Sequence, residues 1–584
     1  MIQQHPDPQV AILDAGGQYT HLIARKVREL GVYAEVVPSD TPATRLAGRK
    51  AVIISGGPAS VYDAGSPSVD PAIFHNHASV LGICYGQQLM AYHLGGTVRK
   101  GEHGEYGLAT LQVSEPGALL RGTESRQQIW MSHRDLVSAA PAGFTVLGRT
   151  DTCAVAAIAA PDRRLYGVQF HPEVVHTRYG SRILSNFLFD IAGCTRDWDP
   201  RHRLPLLEAE IRERVGDRNV FFFVSGGVDS TVAYTLCLRA LGPERVSGFY
   251  VDTGLMRQGE THFVRELFRS LGADAFMVEE AGDQFLEALA GVSDPELKRH
   301  IIGEQFVAVQ ERILKTGHFL DGNWILGQGT IYPDTIESGG TAKADVIKTH
   351  HNRVAGIQKL LEQGRIVEPL TSFYKDEVRE IGSELGLPSQ FLERHPFPGP
   401  GLAIRCLCSE REQPIERTAE GWLIPIRSVG VQGDSRTYRS VLAIEGDRLE
   451  ERATELINRI QEINRVVWRV AARGESRVTR GLLTPDRLER LRAVDAIVRH
   501  LCEQSGFDTR VWQFPVILIP AGTASAPDSV VLRPVDSVDG MTAAAVVMER
   551  ALLDPLVSEL LNVEGIAGVF YDLTHKPPGT IEWE

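Results

Sequence analysis

The sequence predicts an α/β protein with two doubly wound domains on mainly parallel sheets, followed by a duplicated α+β subdomain. Short apolar runs alternate with amphipathic segments through residues 1–195, and the same alternation starts again at Phe221. After residue 409, two segments repeat one order of elements: strand, polar turn, strand, helix, strand. We therefore expect four domains, at 1–195, 196–409, 410–500 and 501–584.

Apolar runs and helical periodicity define the elements of the first two domains. Residues 19–30 place their apolar side chains on one helical face, which predicts a helix. Residues 197–217 are polar and carry two prolines, which indicates a connector that contains a helix. The runs that predict buried strands are Val10–Leu13, Ala51–Ile54, Val80–Ile83, Val246–Val251 and Trp324–Gly327, together with a strand that begins at Phe221.

The C-terminal repeat is recognised by its order of elements, because the sequence identity between the copies is low. The first copy reads LIPIRSVGVQGDSRTYRSVLAI and continues to INRVVWRV. The second copy reads VILIPAGTASAPDSVVLRPV and continues to IAGVFYDL. Each copy carries Asp-Ser in its polar turn, and a polar segment at 471–486 separates them. The pattern indicates an internal duplication.

The bulk composition weighs against several classes of protein. With 584 residues and a net charge of −13, the chain lacks the basic character that drives binding to nucleic acid. No apolar run approaches the roughly 18 residues of a membrane span, and the N-terminus lacks the features of a secretory signal. The seven cysteines are sparse and scattered, as in proteins of a reducing compartment. We expect a cytoplasmic protein that binds neither nucleic acid nor membrane.

A cysteine lies where a buried strand meets a helix, in the stretch GICYG. Gly82 and Gly86 flank Cys84 and permit the sharp turn of a nucleophile elbow, the thiol counterpart of the serine elbow in hydrolases. The predicted helix Gln87–Leu94 directs its N-terminus at the thiol, and that end of a helix favours the thiolate. A buried structural cysteine is the alternative, but the two glycines favour a nucleophile.

A nucleophilic thiol needs a base, and the stretch FHPEV supplies one. His171 and Glu173 are two positions apart, so in an extended segment both side chains point to the same side. Glu173 can then orient the imidazole of His171, while Pro172 stiffens the link. We predict that Cys84, His171 and Glu173 form a catalytic triad.

These residues resemble the class I, triad-type glutamine amidotransferases. The likeness rests on G-I-C-Y-G-Q-Q and F-H-P-E, and it implies a cysteine hydrolase that cleaves the side-chain amide of glutamine and releases ammonia. It also implies that Gly57, in SGGPAS, and Tyr85 donate their backbone N–H groups to an oxyanion hole. The residues that the resemblance places near the bound glutamine are Gln88, Ser132, His133 and Asp135.

A second glycine-rich turn follows the strand that begins at Phe221. The turn consists of Ser225, Gly226, Gly227, Val228, Asp229 and Ser230. It leads into a helical pattern, and a helix N-terminus after such a turn binds phosphate. The turn lacks the lysine of kinase-type phosphate loops. A chance occurrence in a surface turn is the alternative, which the preceding apolar strand disfavours.

The turn resembles the S-G-G-x-D-S signature of the N-type ATP pyrophosphatases. In that family the attack falls on the α-phosphate of ATP, so the loop would hold the β- and γ-phosphates as leaving pyrophosphate. The resemblance implies that Asp229 helps to place Mg²⁺, the one cofactor expected, with no prosthetic group. It also implies that Lys375, in TSFYKDEVREIG, contacts ATP. Asp334 and Glu337 add two carboxylates three residues apart.

Two long stretches resemble the glutamine-hydrolysing GMP synthases, a family that joins both chemistries. They are RHPFPGPGLAIR at 394–405 and YDLTHKPPGTIEWE at 571–584, and with the two signatures the resemblance covers nearly the whole chain. It implies glutamine, ATP and XMP as substrates of a purine-biosynthetic ligase. XMP would attack ATP, and ammonia would displace AMP from adenylyl-XMP to give GMP. The residues carried over to the XMP site are Arg257, Asp434, Gln513, Arg533, Lys576 and Glu582.

The C-terminal repeat departs from the short members of this family, which have one small domain that pairs two chains. The chain resembles the longer, eukaryote-like form. We expect the two copies to pack on each other as a pseudo-dimer, so that the protein is a monomer, with a dimer as the alternative. A frayed, solvated tail is also an alternative, which Pro-Pro and Trp583 disfavour. The first copy lacks the Lys-Pro-Pro tail and so the nucleotide contact that the tail makes.

Three other interpretations stay open at this point. Another amidotransferase with the same two domains, of the NAD or asparagine synthetase type, would lack this tail or belong to a different glutaminase family. A regulator with a decayed nucleotide site would not be expected to keep Cys84, His171 and Glu173. Cys406 and Cys408 could ligate a metal, but a C-x-C without a second pair is a weak signal.

Overall fold

The computed structural model describes residues 7–17, 19–75, 78–337, 354–432, 435–537 and 543–584. The chain divides into two compact units, Met1–Leu206 and Leu207–Glu584. The first boundary lies close to the predicted one at 195/196. The second unit contains nearly all of the three further domains predicted at 196–409, 410–500 and 501–584, and the boundaries between them stay a prediction.

The first unit is an α/β structure on one nine-stranded sheet. Its strands are β1 (Val10–Asp14), β2 (Ala34–Pro38), β3 (Ala51–Ile54), β4 (Ser79–Ile83), β5 (Thr97–Val113), β6 (Arg126–Ala139), β7 (Thr145–Arg149), β8 (Ala157–Ala160) and β9 (Leu165–Val168). Its helices are α1 (Thr20–Glu29), α2 (Tyr85–His93) and α3 (Gly180–Ser185). The sheet order is β2-β1-β3-β4-β9-β8-β7-β5-β6.

Only one half of this sheet has the predicted parallel pairing. The strands β2, β1, β3, β4 and β9 pair in parallel, and each later pair, from β9–β8 to β5–β6, is antiparallel. Short connections between β5, β6, β7 and β8 permit antiparallel pairing, whereas parallel strands need a crossover. The prediction did not include the antiparallel strands, because it rested on strands that alternate with helices, a pattern that indicates parallel pairing.

The second unit begins with a five-stranded parallel sheet of order β12-β11-β10-β13-β14. Its strands are β10 (Asn219–Phe223), β11 (Val246–Asp252), β12 (Phe276–Glu280), β13 (Trp324–Gly327) and β14 (Ile366–Val367). The helices from the unit boundary onward are α4 (Leu204–Val215), α5 (Val228–Leu241), α6 (Glu260–Ser270), α7 (Gly282–Ala288), α8 (Pro295–Thr316), α9 (Tyr332–Glu337), α10 (Ala355–Glu362), α11 (Lys375–Glu384) and α12 (Ser389–Leu392). The doubly wound, parallel arrangement predicted from Phe221 onward is confirmed.

A second, seven-stranded sheet completes this unit, in the order β15-β16-β17-β18-β25-β22-β20. The strands of this part are β15 (Glu416–Arg417), β16 (Trp422–Gln432), β17 (Ser435–Ile444), β18 (Ile463–Ala472), β19 (Arg477–Val478), β20 (Val516–Ile519), β21 (Ala521–Gly522), β22 (Asp528–Leu532), β23 (Val535–Asp536), β24 (Ala544–Ala545) and β25 (Ile566–Asp572). The helices are α13 (Leu449–Arg459), α14 (Pro485–Ser505) and α15 (Arg550–Leu561). The pairs β19–β21 and β23–β24 form two small ladders outside the main sheet.

The large C-terminal sheet has the same order of pairing in its two halves. β16 is antiparallel to β17, and β17 is parallel to β18, with α13 between them along the chain. β20 is antiparallel to β22, and β22 is parallel to β25, with α15 between them along the chain. The antiparallel pair β18–β25 joins the two halves at the centre.

One apolar core holds both sheets of the second unit together. The same buried cluster contains Phe221 and Leu326 of the first sheet, Leu402 of the connecting segment, and Val466 and Leu532 of the second sheet. The stretches 196–409 and 410–584 therefore share one apolar cluster, and a second cluster, which includes Ile424, Val531 and Phe570, lies almost wholly in the C-terminal stretch. The shared cluster is why both sheets belong to one compact unit.

The C-terminal tail is part of the packed structure. The indole of Trp583 is fully buried and donates its Nε1–H to Asp572 Oδ2 at 2.9 Å. Glu584 is buried as well, and its carboxylate lies 2.6 Å from the Lys298 ammonium. The predicted burial of Trp583 is confirmed, and the frayed tail is excluded.

The described residues contain no helix that is both long and apolar enough to cross a membrane. All seven cysteines lie within the described ranges, and each is a free thiol.

Trp583→Ala is expected to destabilise the second unit by about 3–5 kcal/mol, because it removes a large buried side chain and leaves Asp572 short of a donor. The midpoint of thermal unfolding of this unit, followed by calorimetry, measures the effect. Met277→Ala is a matched control, since that side chain is 48% exposed and its loss should change stability by no more than about 0.5 kcal/mol. An unchanged midpoint for Trp583→Ala would show that the tail adds nothing to the core.

Candidate active sites

The predicted nucleophile occupies a strained turn between β4 and α2. Cys84 has φ 52° and ψ −106°, and positive φ is uncommon for a residue other than glycine and clusters at functional sites. A Cβ on Gly82 would lie 2.5 Å from the Gly86 carbonyl oxygen, and one on Gly86 would lie 2.3 Å from the Ile54 carbonyl oxygen. The turn thus requires both glycines, as an elbow does. Helix α2 begins at Tyr85, so Cys84 lies directly at its N-terminus.

His171, the predicted base, is buried beside Glu173. The distance from His171 Nδ1 to Glu173 Oε1 is 2.6 Å, and both side chains are nearly inaccessible to solvent. The predicted juxtaposition is therefore present, but the predicted extended backbone is not. β9 ends at Val168, and the chain turns from Pro172 onward.

The Glu173 carboxylate favours a proton on His171. Burial acts against the charged imidazolium, but the carboxylate and an interaction with Cys84 outweigh it and raise the pKa of His171 to about 10. The imidazole can therefore hold the proton that a thiolate has lost. This is the electrostatic arrangement of an activated cysteine.

Three residues surround the thiol, of which Gly56 and Gln169 were not identified from the sequence and Ser132 was predicted near glutamine. A Cβ on Gly56 would lie 2.9 Å from His171 Cε1 and 3.5 Å from Cys84 Cβ, so only glycine leaves room there. The Gln169 amide nitrogen is 3.6 Å from Cys84 Sγ, and the Ser132 carbonyl oxygen is 3.7 Å from it. The doubled glycine of SGGPAS was a usable signal for Gly56, whereas Gln169 gave none.

The two residues predicted for the oxyanion hole lie side by side. A Cβ on Gly57 would be 3.3 Å from the Tyr85 ring and 2.5 Å from the Ala15 carbonyl oxygen, which excludes any side chain at 57. The Tyr85 hydroxyl donates to the Pro67 carbonyl at 2.7 Å and fixes the start of α2. The geometry is compatible with the predicted role, which stays a prediction.

The residues predicted near glutamine have mixed environments. The Gln88 amide donates to the Asp135 carbonyl at 2.7 Å and lies on the first turn of the helix that follows Cys84. His133 is buried, with Nδ1 3.0 Å from the Asp135 carbonyl and Nε2 3.3 Å from Glu105 Oε2. Among the described residues, only Nδ1 makes a hydrogen bond, because Nε2 faces the Glu105 carboxylate without hydrogen-bond geometry. Ser132 contributes its backbone carbonyl to the thiol, as described above.

The predicted phosphate loop joins β10 to α5, which begins at Val228. Gly226 has φ 76°, a conformation that glycine adopts without strain. Ser225 Oγ accepts from the Gly227 N–H at 3.2 Å and lies 3.1 Å from Ser230 Oγ. The two hydroxyls thus converge beside the first N–H groups of α5, where an anion is stabilised.

Lys375 supplies the positive charge that the loop itself lacks. It is the first residue of α11, and its ammonium lies 3.4 Å from Asp229 Oδ2. Burial raises the pKa of Asp229, and Lys375 acts in the opposite direction. The other carboxylate oxygen, Oδ1, is buried with no hydrogen-bond partner within the described residues.

Gly329 is a loop neighbour that the sequence reading did not single out. A Cβ at this position would lie 2.7 Å from the backbone nitrogen of Ser230. The chain after β13 therefore packs against the phosphate loop only because residue 329 has no side chain. The same segment carries Asp334, which interacts electrostatically with Asp229.

Three of the predicted XMP residues come together in the second unit. The Gln513 amide donates to Glu582 Oε1 at 3.2 Å. Arg257 is buried, with its guanidinium carbon 4.5 Å from the Phe397 ring centre and its Nε 3.5 Å from Asp495 Oδ2. Burial lowers the pKa of Arg257 to about 10, and Asp495 opposes this shift. Asp495 was not identified from the sequence, because it lies inside the long helix α14.

Arg533 occupies a different environment from the one predicted. Its side chain is fully buried and donates through Nε, Nη1 and Nη2 to tail carbonyls of residues 574, 580 and 581. It also lies 2.8 Å from Asp572 Oδ2. These contacts favour a role in holding the tail. The Lys576 backbone pairs with Ala543, and Asp434 lies outside the described residues.

Comparison with known proteins extends these local findings to the whole chain. The profile of the family "Glutamine amidotransferase class-I" matches residues 11–191, and that of "GMP synthase C terminal domain" matches residues 500–583. A "Probable GMP synthase [glutamine-hydrolyzing]" of Leptospira interrogans is 41% identical over 99% of both chains. The GMP synthases [glutamine-hydrolyzing] of Thermobifida fusca and Streptomyces coelicolor are each 40% identical to this chain, over 98% of both chains in each comparison. The chain belongs to the family of glutamine-hydrolysing GMP synthases, which are glutamine-dependent ligases.

Proposed function

We propose that this chain converts XMP to GMP through an adenylyl-XMP intermediate, using ATP and the ammonia released from glutamine. The observation that carries the proposal is a pair of intact sites in a chain that matches the family from end to end. One site places a strained Cys84 beside His171 and Glu173. The other places a lysine-free phosphate loop beside Lys375.

In the glutaminase reaction, Cys84 Sγ attacks the side-chain carbonyl carbon of glutamine. His171 takes the thiol proton and gives it to the leaving nitrogen, so that ammonia departs and a glutamyl thioester remains. Glu173 holds the imidazole and stabilises its charged form. Backbone N–H groups of Gly57 and Tyr85 would bind the oxyanion. Water then attacks the thioester, and its proton returns through His171 to release glutamate and the thiol.

In the synthetase reaction, the C2 oxygen of XMP attacks the α-phosphorus of ATP. The bond to the bridging oxygen breaks, and pyrophosphate leaves. The N–H groups at the start of α5, with Ser225 and Ser230, would hold that leaving group, and Lys375 would add positive charge. Ammonia then displaces AMP from C2. Only neutral ammonia has the lone pair for this step, and it loses a proton as the C–N bond forms. Water would hydrolyse the adenylyl intermediate, so the site must exclude it.

Mg²⁺ fits the loop because Asp229 has an unpaired, buried carboxylate oxygen. Asp229 would hold the ion together with phosphate oxygens of ATP, and Asp334 lies near enough to contribute charge. Bound Mg²⁺ would offset the negative charge of the departing pyrophosphate. Within the described residues, no group of three or more His, Cys, Asp or Glu side chains is arranged to hold a metal ion without such help.

XMP would bind where Arg257, Gln513 and Glu582 converge, with Lys576 from the same tail. Cationic side chains suit its phosphate, and a carboxylate suits base or ribose donors. Asp434 stays a predicted contact. For Arg533 we propose that it supports the tail and does not touch XMP.

We also propose that the C-terminal region arose by duplication and forms a pseudo-dimer within one chain. The repeated β–β–α–β order and its antiparallel centre at β18–β25 support this. The tripeptide Leu-Ile-Pro occurs at 423–425 and at 518–520, at equivalent positions of β16 and β20. We expect a cytoplasmic monomer, as the sequence suggested.

A reversed ion pair supports the duplication further. Glu445 and Arg469 lie one residue beyond the last register pair of β17 and β18, and their side chains are 3.0 Å apart. Arg533 and Asp572 lie one residue beyond the last register pair of β22 and β25, at 2.8 Å. Equivalent positions thus carry the same pair with opposite polarity, which a shared ancestor followed by divergence explains.

Product analysis with XMP and MgATP tests the proposed function. We expect GMP, AMP and pyrophosphate with either glutamine or ammonium as nitrogen source, separated by ion-exchange chromatography. ADP with orthophosphate, or no GMP, would overturn the proposal.

Cys84→Ala should abolish glutamine-dependent synthesis and leave ammonium-dependent synthesis within about twofold, because only the nucleophile of one site is lost. Asp229→Ala should stop synthesis with both nitrogen sources. Loss of both activities in Cys84→Ala would contradict two separate sites.

Glu173→Gln should reduce glutaminase activity by about 10²-fold or more, since the neutral amide cannot stabilise the imidazolium. The effect on stability should depend on pH. The charged form of His171 is favoured up to a pKa of about 10, against 6.5 when unfolded. The raised pKa of His171 therefore adds its full contribution to the free energy of unfolding below about pH 6.5, and this contribution declines as the pH rises towards 10. The melting temperature of wild type should exceed that of Glu173→Gln most at pH 6 and least at pH 10, and a pH-independent difference would contradict this assignment.

The pseudo-dimer predicts one chain mass in light scattering at micromolar concentration, because the sheet that would pair two chains is already paired at β18–β25. A mass of two chains without ligand would count against it.

A further inference from the structure

The stretch RHPFPGPGLAIR at 394–405 served to identify the family, but no function was assigned to its residues. In the structure it contributes two side chains to the region around Glu582. The Phe397 ring lies close to two guanidinium groups, with its centre 4.5 Å from the Arg257 carbon and 5.3 Å from the Arg405 carbon. The stretch therefore brings a second arginine, Arg405, to the place where the predicted XMP residues meet.

Arg405 donates two parallel hydrogen bonds to the Glu582 carboxylate. Its Nε donates to Oε2 at 3.0 Å and its Nη2 to Oε1 at 2.6 Å, while the Arg405 side chain is completely buried. Gln513 donates to the same Oε1 at 3.2 Å and to the Pro396 carbonyl at 3.0 Å. Both carboxylate oxygens are thus fixed in direction, which only a planar, forked donor achieves.

The tail does not depend on this contact for its attachment. Trp583 donates to Asp572, and Glu584 pairs with Lys298, so the two residues that follow Glu582 are both held. Arg465 donates to the Thr580 and Glu582 carbonyls at 2.7 and 2.8 Å. The backbone of the tail is already anchored by these contacts. The two hydrogen bonds from Arg405 therefore serve to orient the Glu582 carboxylate.

A buried, unsatisfied nitrogen accompanies this arrangement. Arg405 Nη1 is buried and has no hydrogen-bond partner among the described residues, whereas Arg257 Nε faces Asp495 Oδ2 at 3.5 Å. Nitrogens in that state are destabilising unless an acceptor arrives. The two guanidinium groups beside Phe397 therefore suit a ligand rich in carbonyl or phosphate oxygens.

We propose that Arg405 is a positioning residue for XMP binding: it orients the Glu582 carboxylate beside Arg257, and Phe397 sets the spacing. This inference rests on the proposed function. Arg405 acts through Glu582, so the two side chains form one functional unit. Lysine at 405 keeps the charge but loses the fork, and the carboxylate then rotates.

The test is a double-mutant cycle on the full chain, with XMP varied, MgATP saturating and ammonium as nitrogen donor. We expect Arg405→Lys to raise the KM for XMP by about 10- to 100-fold and to change kcat less. Glu582→Gln should also raise this KM, and the double variant should be no worse than the weaker-binding single variant. Effects that multiply in the double variant would overturn the positioning role.

Two further variants guard against misfolding and non-specific loss. Phe397→Leu keeps an apolar side chain but removes the spacer, and it should raise the KM for XMP in the wild type and have no further effect in Glu582→Gln. Arg28→Lys is the matched control, since Arg28 is a buried arginine 5.0 Å from Tyr33 and 5.1 Å from Trp198, in the other unit. Its KM for XMP should not change. If the wild type made no GMP, the proposed function would fail and this inference with it; active wild type with independent effects would refute this inference alone.

Discussion

The buried carboxylate of Asp572 is the contact on which the C-terminal half depends. Its Oδ2 lies 3.1 Å from Arg465 Nη1 and 2.8 Å from Arg533 Nη1, and it accepts a hydrogen bond from the Trp583 indole at 2.9 Å. Burial alone would raise the pKa of Asp572, but the two arginines hold it below its usual range. Removing one partner of such a buried group destabilises a protein by about 3–5 kcal/mol. The cluster ties both halves of the large sheet to the tail that carries Glu582.

Both candidate sites use the same local device, a helix N-terminus that follows a parallel strand. In the first unit this arrangement presents a thiol, and in the second it presents N–H groups and two hydroxyls, where the sequence predicts a phosphate loop. Charge then comes from a distant part of the chain. Lys375 reaches Asp229 across 146 residues of sequence.

The two halves of the C-terminal sheet have the same order of strand pairing, but they differ in their relation to the C-terminal tail. The first half retains Arg465, which donates to the Thr580 and Glu582 carbonyls of the tail. The second half bears the tail itself. The tail is thus held by side chains from both halves of the sheet, all within one chain.

The sequence by itself determined the features that depend on neighbouring residues: the elbow at Cys84, the His171–Glu173 contact, the phosphate loop and the burial of Trp583. Glycine spacing, short-range pairing and apolar content are enough for these. Only the tertiary structure decided the antiparallel half of the first sheet, the shared core of the second unit and the tail-holding contacts of Arg533. It alone joined Arg405 to Glu582, which are 177 residues apart. Such contacts follow from how sheets and helices pack, and no local pattern encodes which distant side chains meet.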